Sequence, residues 1–252
     1  MLGIVQGLTE FLPVSSSGHL ILVPRLLGWA DQGLAFDAAM HLGTLAALLV
    51  YFRGEILRML HGADRRLALL LVAATVPAGL AGLLLEKIVE SRLRGPQVVA
   101  LSLIFWGLVM YAVDRHAAKR GESVTREQDV GWRQGMLVGV AQAIALVPGT
   151  SRSGITITAG LAGGLDRPTA ARFAFLLSIP ITAAAGGHKG LALLDHGGES
   201  VALGPVAVGI ATSFLAGLAA VWFLVNFLQR RSLLPFVVYR CVLGLVILGV
   251  LR

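Results

Sequence analysis

Charge is what this sequence has least of. Of its 252 residues only 14% are Asp, Glu, Lys or Arg, against roughly 25% in soluble proteins, while 56% are hydrophobic. Too few charges remain to cover a water-soluble surface, which excludes a soluble enzyme, and the apolar content excludes a disordered chain. Cysteine occurs once, as Cys241 inside an apolar run, so there is no internal disulfide, a disulfide scaffold is excluded, and the thiol reads as core filling. Basic residues are missing ahead of the first apolar stretch, Met1 to Pro13, as is a small-residue cleavage site. A secretory signal peptide is therefore not expected there.

What is present is a set of apolar runs separated by charged or Gly/Pro-containing stretches. Six are long enough to cross a bilayer, at about 35–53, 67–86, 97–113, 170–187, 202–227 and 235–251, where roughly 17–25 residues are needed. Two more are interrupted. Met1–Trp29 is broken by Pro13 and Ser15-Ser16-Ser17-Gly18, and Gly131–Gly164 by Pro148-Gly149-Thr150-Ser151. Each reads as two short helices joined by a polar kink. The expected fold is an all-α polytopic membrane protein, with six transmembrane helices and two re-entrant helical hairpins.

The interrupted segments resemble each other. A shift of 136 positions places Gly3 on Gly139, Gln6 on Gln142, Ser15 on Ser151, Ser17 on Ser153 and Gly18 on Gly154. Each segment precedes three full spans, and an odd number of crossings inverts the second copy. The expected division is a first repeat over 1–114 (hairpin 1–29), a linker over 115–131 and a second repeat over 132–252 (hairpin 132–164). In inverted repeats of this kind the interrupted segments meet near the bilayer midplane and build the functional site.

The net charge of +7 would suggest nucleic acid in a soluble protein; in loops between spans it records orientation instead, and no nucleic-acid partner is expected. With the N-terminus on side A, the A loops hold Arg25, Lys87, Arg92, Arg94, Lys189 and Arg252. Side B holds thirteen, among them Arg53, Arg58, Arg65, Arg66, Lys119, Arg120, Arg167 and Arg172. Side B is therefore the cytoplasmic side and both termini lie outside. Arg152 and Arg240 remain at membrane depth.

Polar residues at that depth are costly and mark function by default. Gln6 and Glu10, four apart, share a helix face and point at one ligand or metal. Ser15, Ser16, Ser17 and His19 line the first kink. Gly149, Ser151, Arg152, Ser153, Thr156 and Thr158 follow the second, where an arginine at a helix start suits a phosphate. Plainer readings stand beside these. Serines bond their own backbone, Glu10 pairs structurally with Arg152, His19 is a satisfied core histidine, and Thr156 and Thr158 are packing. Asp37 and His41 border the site or sit in interfacial water. Arg240 pairs with Asp37 or with backbone carbonyls rather than with substrate.

The run Gln6-Gly7-Leu8-Thr9-Glu10-Phe11-Leu12-Pro13-Val14-Ser15-Ser16-Ser17-Gly18-His19 resembles the first signature of the BacA/UppP family, and Pro148-Gly149-Thr150-Ser151-Arg152-Ser153-Gly154 its second. The resemblance extends over nearly the whole chain. It implies an undecaprenyl-diphosphatase of the bacterial cytoplasmic membrane, which returns the monophosphate carrier lipid to peptidoglycan synthesis and is linked to bacitracin resistance. It implies Glu10 as metal ligand or base, Ser16 as candidate nucleophile with a water activated by the same groups as the other route, His19 as general acid/base or alternative nucleophile, and Arg152 as phosphate clamp. Ser15, Ser17, Ser151, Ser153, Gly149 and Thr156 then support substrate, and Mg²⁺ or Ca²⁺ sits on Glu10 and Gln6. Gln6 departs from the family's frequent Glu, so it brings a carbonyl but no charge. Partners implied are the lipid substrate, the bilayer and a second copy in a homodimer. A polyprenyl-phosphate flippase or ion-coupled carrier is the alternative, since inverted repeats are also a transporter design.

Overall fold

A computed structural model describes residues 1–28, 33–93, 95–120, 123–195 and 203–250, with the side chains of residues 17, 21, 24–27, 33–38, 86, 87, 90, 187–195 and 203 outside the description. The described chain is helical: α1 Leu2–Phe11, α2 Ser16–Leu27, α3 Gly33–Tyr51, α4 Arg53–Leu60, α5 Arg65–Ile88, α6 Pro96–Ala117, α7 Trp132–Ile144, α8 Arg152–Ala162, α9 Arg167–Asp195, α10 Leu203–Leu228 and α11 Leu234–Val250. The described residues of each of the six apolar stretches lie on a single helix, α3, α5, α6, α9, α10 or α11, apart from residues 52 and 53 at the end of the first. Among the described residues four helices are long and apolar enough to cross a membrane by themselves, and a fifth if α3 and α4 count as one broken span.

The interrupted segments form pairs of short helices. α1, α2, α7 and α8 have 10, 12, 13 and 11 residues, and at 1.5 Å per residue none reaches the roughly 30 Å of a hydrocarbon core. Both pairs turn at a serine in the left-handed region, Ser15 with φ 74° and Ser151 with φ 71°. A positive φ is uncommon without glycine, and these two positions differ by the 136-residue shift that aligns the motifs.

The two short first helices pack reciprocally. α1 lies along α10, and α7 lies along α5. Glycine makes both approaches close. A Cβ on Gly3 would strike the Thr212 hydroxyl and the Gly209 carbonyl, and one on Gly139, its counterpart, would strike the Ala74 carbonyl. α11 pairs with α6, and α9 runs through the middle against α3, α5, α8 and α10, which buries Phe173, Phe175, Leu176 and Leu177. The outward faces of α5, α6, α10 and α11 carry Leu83, Leu101, Leu215 and Leu245, all exposed, the surface expected against acyl chains.

At one end the charges gather. Arg172 at the start of α9 pairs with Glu55 of α4 and, at 2.9 Å, with Glu127. Arg167 meets Asp114 of α6 at 2.6 Å, and Asp114 also accepts from the Leu233 backbone N–H. The linker is stitched on by the Val124 N–H to the Gly164 carbonyl at 3.0 Å. Burial pushes the Glu127 carboxyl up, but hydrogen bonds and charge from Arg172 outweigh it, so its pKa lies below the ordinary 4.5.

Candidate functional site

The turn between α1 and α2 and the turn between α7 and α8 meet. Ser153 donates to the Leu12 carbonyl across the junction at 3.1 Å. Arg152, the first residue of α8, reaches Glu10 near the end of α1, where its Nη2 pairs with Glu10 Oε1, and its Nη1 donates to Thr182 of α9 at 2.7 Å. Glu10 Oε2 accepts from Ser16 Oγ at 2.8 Å and from Gln6 Nε2 at 3.0 Å. Carboxylate, hydroxyl and guanidinium therefore form one connected chain, with Glu10 buried in its middle. Buried charges are tolerated when paired and fully hydrogen-bonded, and both Glu10 oxygens are.

Local chain geometry explains the convergence. Helical spacing sets Gln6 and Glu10 one turn apart on one face. Pro13 and the left-handed Ser15 reverse the chain, so that Ser16, opening α2, turns back toward Glu10. In the second turn Gly149, with φ 89°, lies where a Cβ would strike the backbone of Val99. Ser151 then caps α8, its Oγ accepting from the Gly154 N–H at 3.1 Å and lying 3.2 Å from Ser153 Oγ. Strained backbone of this kind concentrates at functional sites.

The remaining expected site residues are placed as follows. Both ring nitrogens of His19 are engaged, Nδ1 with the Ser15 carbonyl at 2.7 Å and Nε2 with the Tyr239 hydroxyl at 2.6 Å. A carbonyl only accepts, so Nδ1 carries the hydrogen, and in the neutral ring Nε2 then accepts from Tyr239. His19 thus braces the Ser15 turn. Thr156 donates to the Arg152 carbonyl at 2.7 Å and Thr158 to Gly154 at 2.7 Å, while Thr156 also borders a small pocket with Glu10, Phe11, Arg152, Ser153 and Ser178. The side chains of Ser17 and Asp37 lie outside the described residues. His41 adjoins the site, with Nδ1 3.1 Å from Gln6 Nε2 and 3.8 Å from Glu10 Oε2.

Arg240 is the group that holds the two turns in register. It is 1% exposed and donates to five backbone carbonyls: Pro13 of the first turn, Gly149 and Thr150 of the second, and Ser102 and Leu103 of α6, at 2.9–3.4 Å. Of the two structural partners expected for it, the backbone carbonyls are present, while the Asp37 side chain lies outside the described residues. Sequence reasoning missed Tyr239 and Thr182. A tyrosine near the start of a span reads as an interfacial residue, and a lone threonine in an apolar helix reads as bonding its own backbone.

Among the described residues no three His, Cys, Asp or Glu side chains gather as for a metal. Gln6 Oε1, however, is buried without a hydrogen-bond partner, on the side chain that touches Glu10. A carbonyl and a carboxylate are the hard oxygen ligands that Mg²⁺ and Ca²⁺ take, so the pair fits a cation whose other ligands are phosphate oxygens and water.

Fold and site together define a multi-pass α-helical membrane protein with an acid, a hydroxyl and an arginine joined inside it. The sequence profile of the family described as "Bacitracin resistance protein BacA" matches residues 1–246. The chain is 47% identical over 259 residues to "Undecaprenyl-diphosphatase 2" of Stutzerimonas stutzeri, covering 98% of this chain and 95% of that one. It is 44% identical over 258 residues to "Undecaprenyl-diphosphatase" of Teredinibacter turnerae (98% and 96%), and 47% identical over 254 residues to the protein of that name from Nitrosococcus oceani (96% and 94%). The chain belongs to the BacA family.

Proposed function

We propose that this protein hydrolyses undecaprenyl diphosphate to undecaprenyl phosphate and inorganic phosphate, returning the carrier lipid to peptidoglycan synthesis. The observation that carries the reading is the continuous link Ser16–Glu10–Arg152, which joins a nucleophile, a base and a phosphate-binding cation drawn from two separate turns. A carrier needs no hydroxyl activated by a carboxylate; a phosphatase does.

The chemistry follows from the contacts. Phosphoryl transfer calls for in-line positioning and charge neutralisation. Without substrate, Arg152 is neutralised by Glu10. The terminal phosphate, presenting a bidentate face to the guanidinium fork, displaces Glu10 and leaves that carboxylate facing the Ser16 hydroxyl and the Gln6 amide. Ser16 Oγ then attacks the outer phosphorus as its proton passes to Glu10, and the lipid monophosphate leaves with the bond electrons. Water later cleaves the phosphoserine and releases phosphate. Ser15, Ser151, Ser153, Gly149, Thr156 and, on the sequence motif alone, Ser17 shape the turns that receive the phosphates, and His19 fixes the backbone from which Ser16 projects. A divalent cation held by Gln6 and Glu10 would neutralise phosphate oxygens.

The same reading places six transmembrane helices and two re-entrant hairpins in inverted repeats 1–114 and 132–252, in the bacterial inner membrane, with the site opening to the periplasm. Matching left-handed serines, reciprocal packing of α1 on α10 and α7 on α5, and helices too short to span support the repeat. The gathering of Arg172, Arg167 and the linker at one end, all on the Arg-rich side, supports the orientation. The test is phosphate release from undecaprenyl diphosphate by the purified chain. Release that Ser16→Ala and Arg152→Ala both abolish is expected; no release by the unaltered chain overturns the proposal.

A further inference from the structure

Away from the catalytic link, a groove of about 710 Å³ lies between the α3–α4 elbow and α10, lined by Tyr51, Arg53, Glu55, Leu215, Leu218 and Trp222 among others. We propose that it is a binding site for an acidic glycerophospholipid of the leaflet on that side, the phosphate at Arg53 and an acyl chain along α10.

Charge is the first argument. Glu55, the carboxylate in the lining, is committed to Arg172. Arg53 has no carboxylate within ion-pair distance among the described residues and is exposed. The groove is left with an exposed guanidinium that no carboxylate among the described residues pairs with, which complements a phosphodiester bearing no ammonium group.

Placement is the second. α4 turns 73° from α3 and buries none of its residues, with Leu57 and Leu60 exposed. A short helix that leaves a span sharply, with Leu57 and Leu60 exposed on the face that Arg53 opens and Arg58 turned to another, lies in the plane of the interface. Tyr51 and Trp222 flank Arg53 in the groove, and Trp222 is 62% exposed. Aromatic rings mark the headgroup level. The head of a lipid bound here therefore meets Arg53 at the depth where heads sit.

The third argument is the path for the tail. Trp222, Leu215 and Val208 follow at seven-residue intervals on α10 and are 62%, 63% and 62% exposed. They form one outward seam, about 21 Å from end to end at 1.5 Å per residue, longer than the roughly 15 Å depth of one leaflet's hydrocarbon. The proposal requires only that the chain spans the membrane and does not depend on the phosphatase reading.

The test is native mass spectrometry of the purified, delipidated full chain titrated with phosphatidylglycerol or phosphatidylcholine. Phosphatidylglycerol should bind about fivefold more tightly, the effect of one favourable basic contact with an acidic headgroup. Arg53→Gln should abolish that preference. Arg65→Gln, which removes an exposed charge at the same end but outside the groove, should leave it. Trp222→Ala should weaken both lipids, with circular dichroism unchanged in every variant. Equal binding of the two lipids by the unaltered chain overturns the proposal, as does equal loss in the Arg53 and Arg65 variants. Undecaprenyl phosphate displacing phosphatidylglycerol at lower concentration overturns it too, since the groove would then belong to a polyprenyl lipid.

Discussion

Removing the Arg240 guanidinium should separate the two turns. Of its five acceptors, Ser102 and Leu103 lie within α6 and keep their helical partners. Pro13, Gly149 and Thr150 lie in turns and depend on Arg240. Arg240→Met keeps the apolar stem and strands those three carbonyls in an apolar interior. An unsatisfied buried group costs about 1–3 kcal/mol, so the gross loss is about 3–9 kcal/mol. Part is regained because a buried cation no longer has to be desolvated, leaving a net destabilisation of about 3–5 kcal/mol. Arg240→Lys keeps the charge but replaces a planar five-donor fork by a compact ammonium, and should cost about half as much. Thermal unfolding in detergent reads the stability, and phosphate release at saturating substrate reads the register of Ser16 against Arg152. Both variants should lose activity at temperatures where they remain folded. Arg240→Met unfolding within about 1 kcal/mol of the parent, with full activity, would refute the idea that this side chain holds the turns together.

Other consequences can be checked separately. Gln6→Glu adds a second carboxylate beside Glu10, so activity restored by Mg²⁺ or Ca²⁺ after EDTA should saturate at lower cation concentration than in the parent; metal-independent hydrolysis in both would remove the cation from the site. Because the folded-state pKa of Glu127 lies below 4.5, its pairing with Arg172 stabilises the protein fully above that value and is lost as pH falls through the lower folded value. The parent should therefore lose more unfolding temperature than Glu127→Gln between pH 7 and pH 4, and equal losses would contradict the pairing. Gly139→Leu drives a side chain into the Ala74 carbonyl and should destabilise by at least the 1–3 kcal/mol of an overpacked contact; an unchanged melting temperature would show that α7 does not lie against α5.

The spans were legible because lipid demands long, nearly uncharged stretches, and α5, α6, α9, α10 and α11 lie where hydropathy puts them. The elbow at Phe52 was not. The apolar run 35–53 ends beside it, but no proline marks a turn there, and only the three-dimensional path shows the chain continuing as α4 at 73° to α3. At the site, the four-residue spacing of Gln6 and Glu10 made their shared face readable, and an arginine at membrane depth demanded a buried partner. Which partner it takes depends on how two distant turns meet. Glu10 and Arg152 are 142 positions apart, and no local rule selects that pair over Asp37 and Arg240. The acceptors of Arg240 are backbone carbonyls, which every residue carries and no sequence pattern marks. Tyr239 was hidden for a related reason: its neighbour His19 lies 220 positions away.

The most direct measurement is the single-turnover rate of phosphate release from undecaprenyl diphosphate by Ser16→Ala, with substrate affinity measured on the same preparation. Removing a nucleophile from a site that still binds and neutralises its substrate should lower the rate by a factor on the order of 10³ or more while affinity stays within about tenfold, because Arg152 and both turns are untouched. A Ser16→Ala protein that releases phosphate within about tenfold of the parent rate would contradict the account.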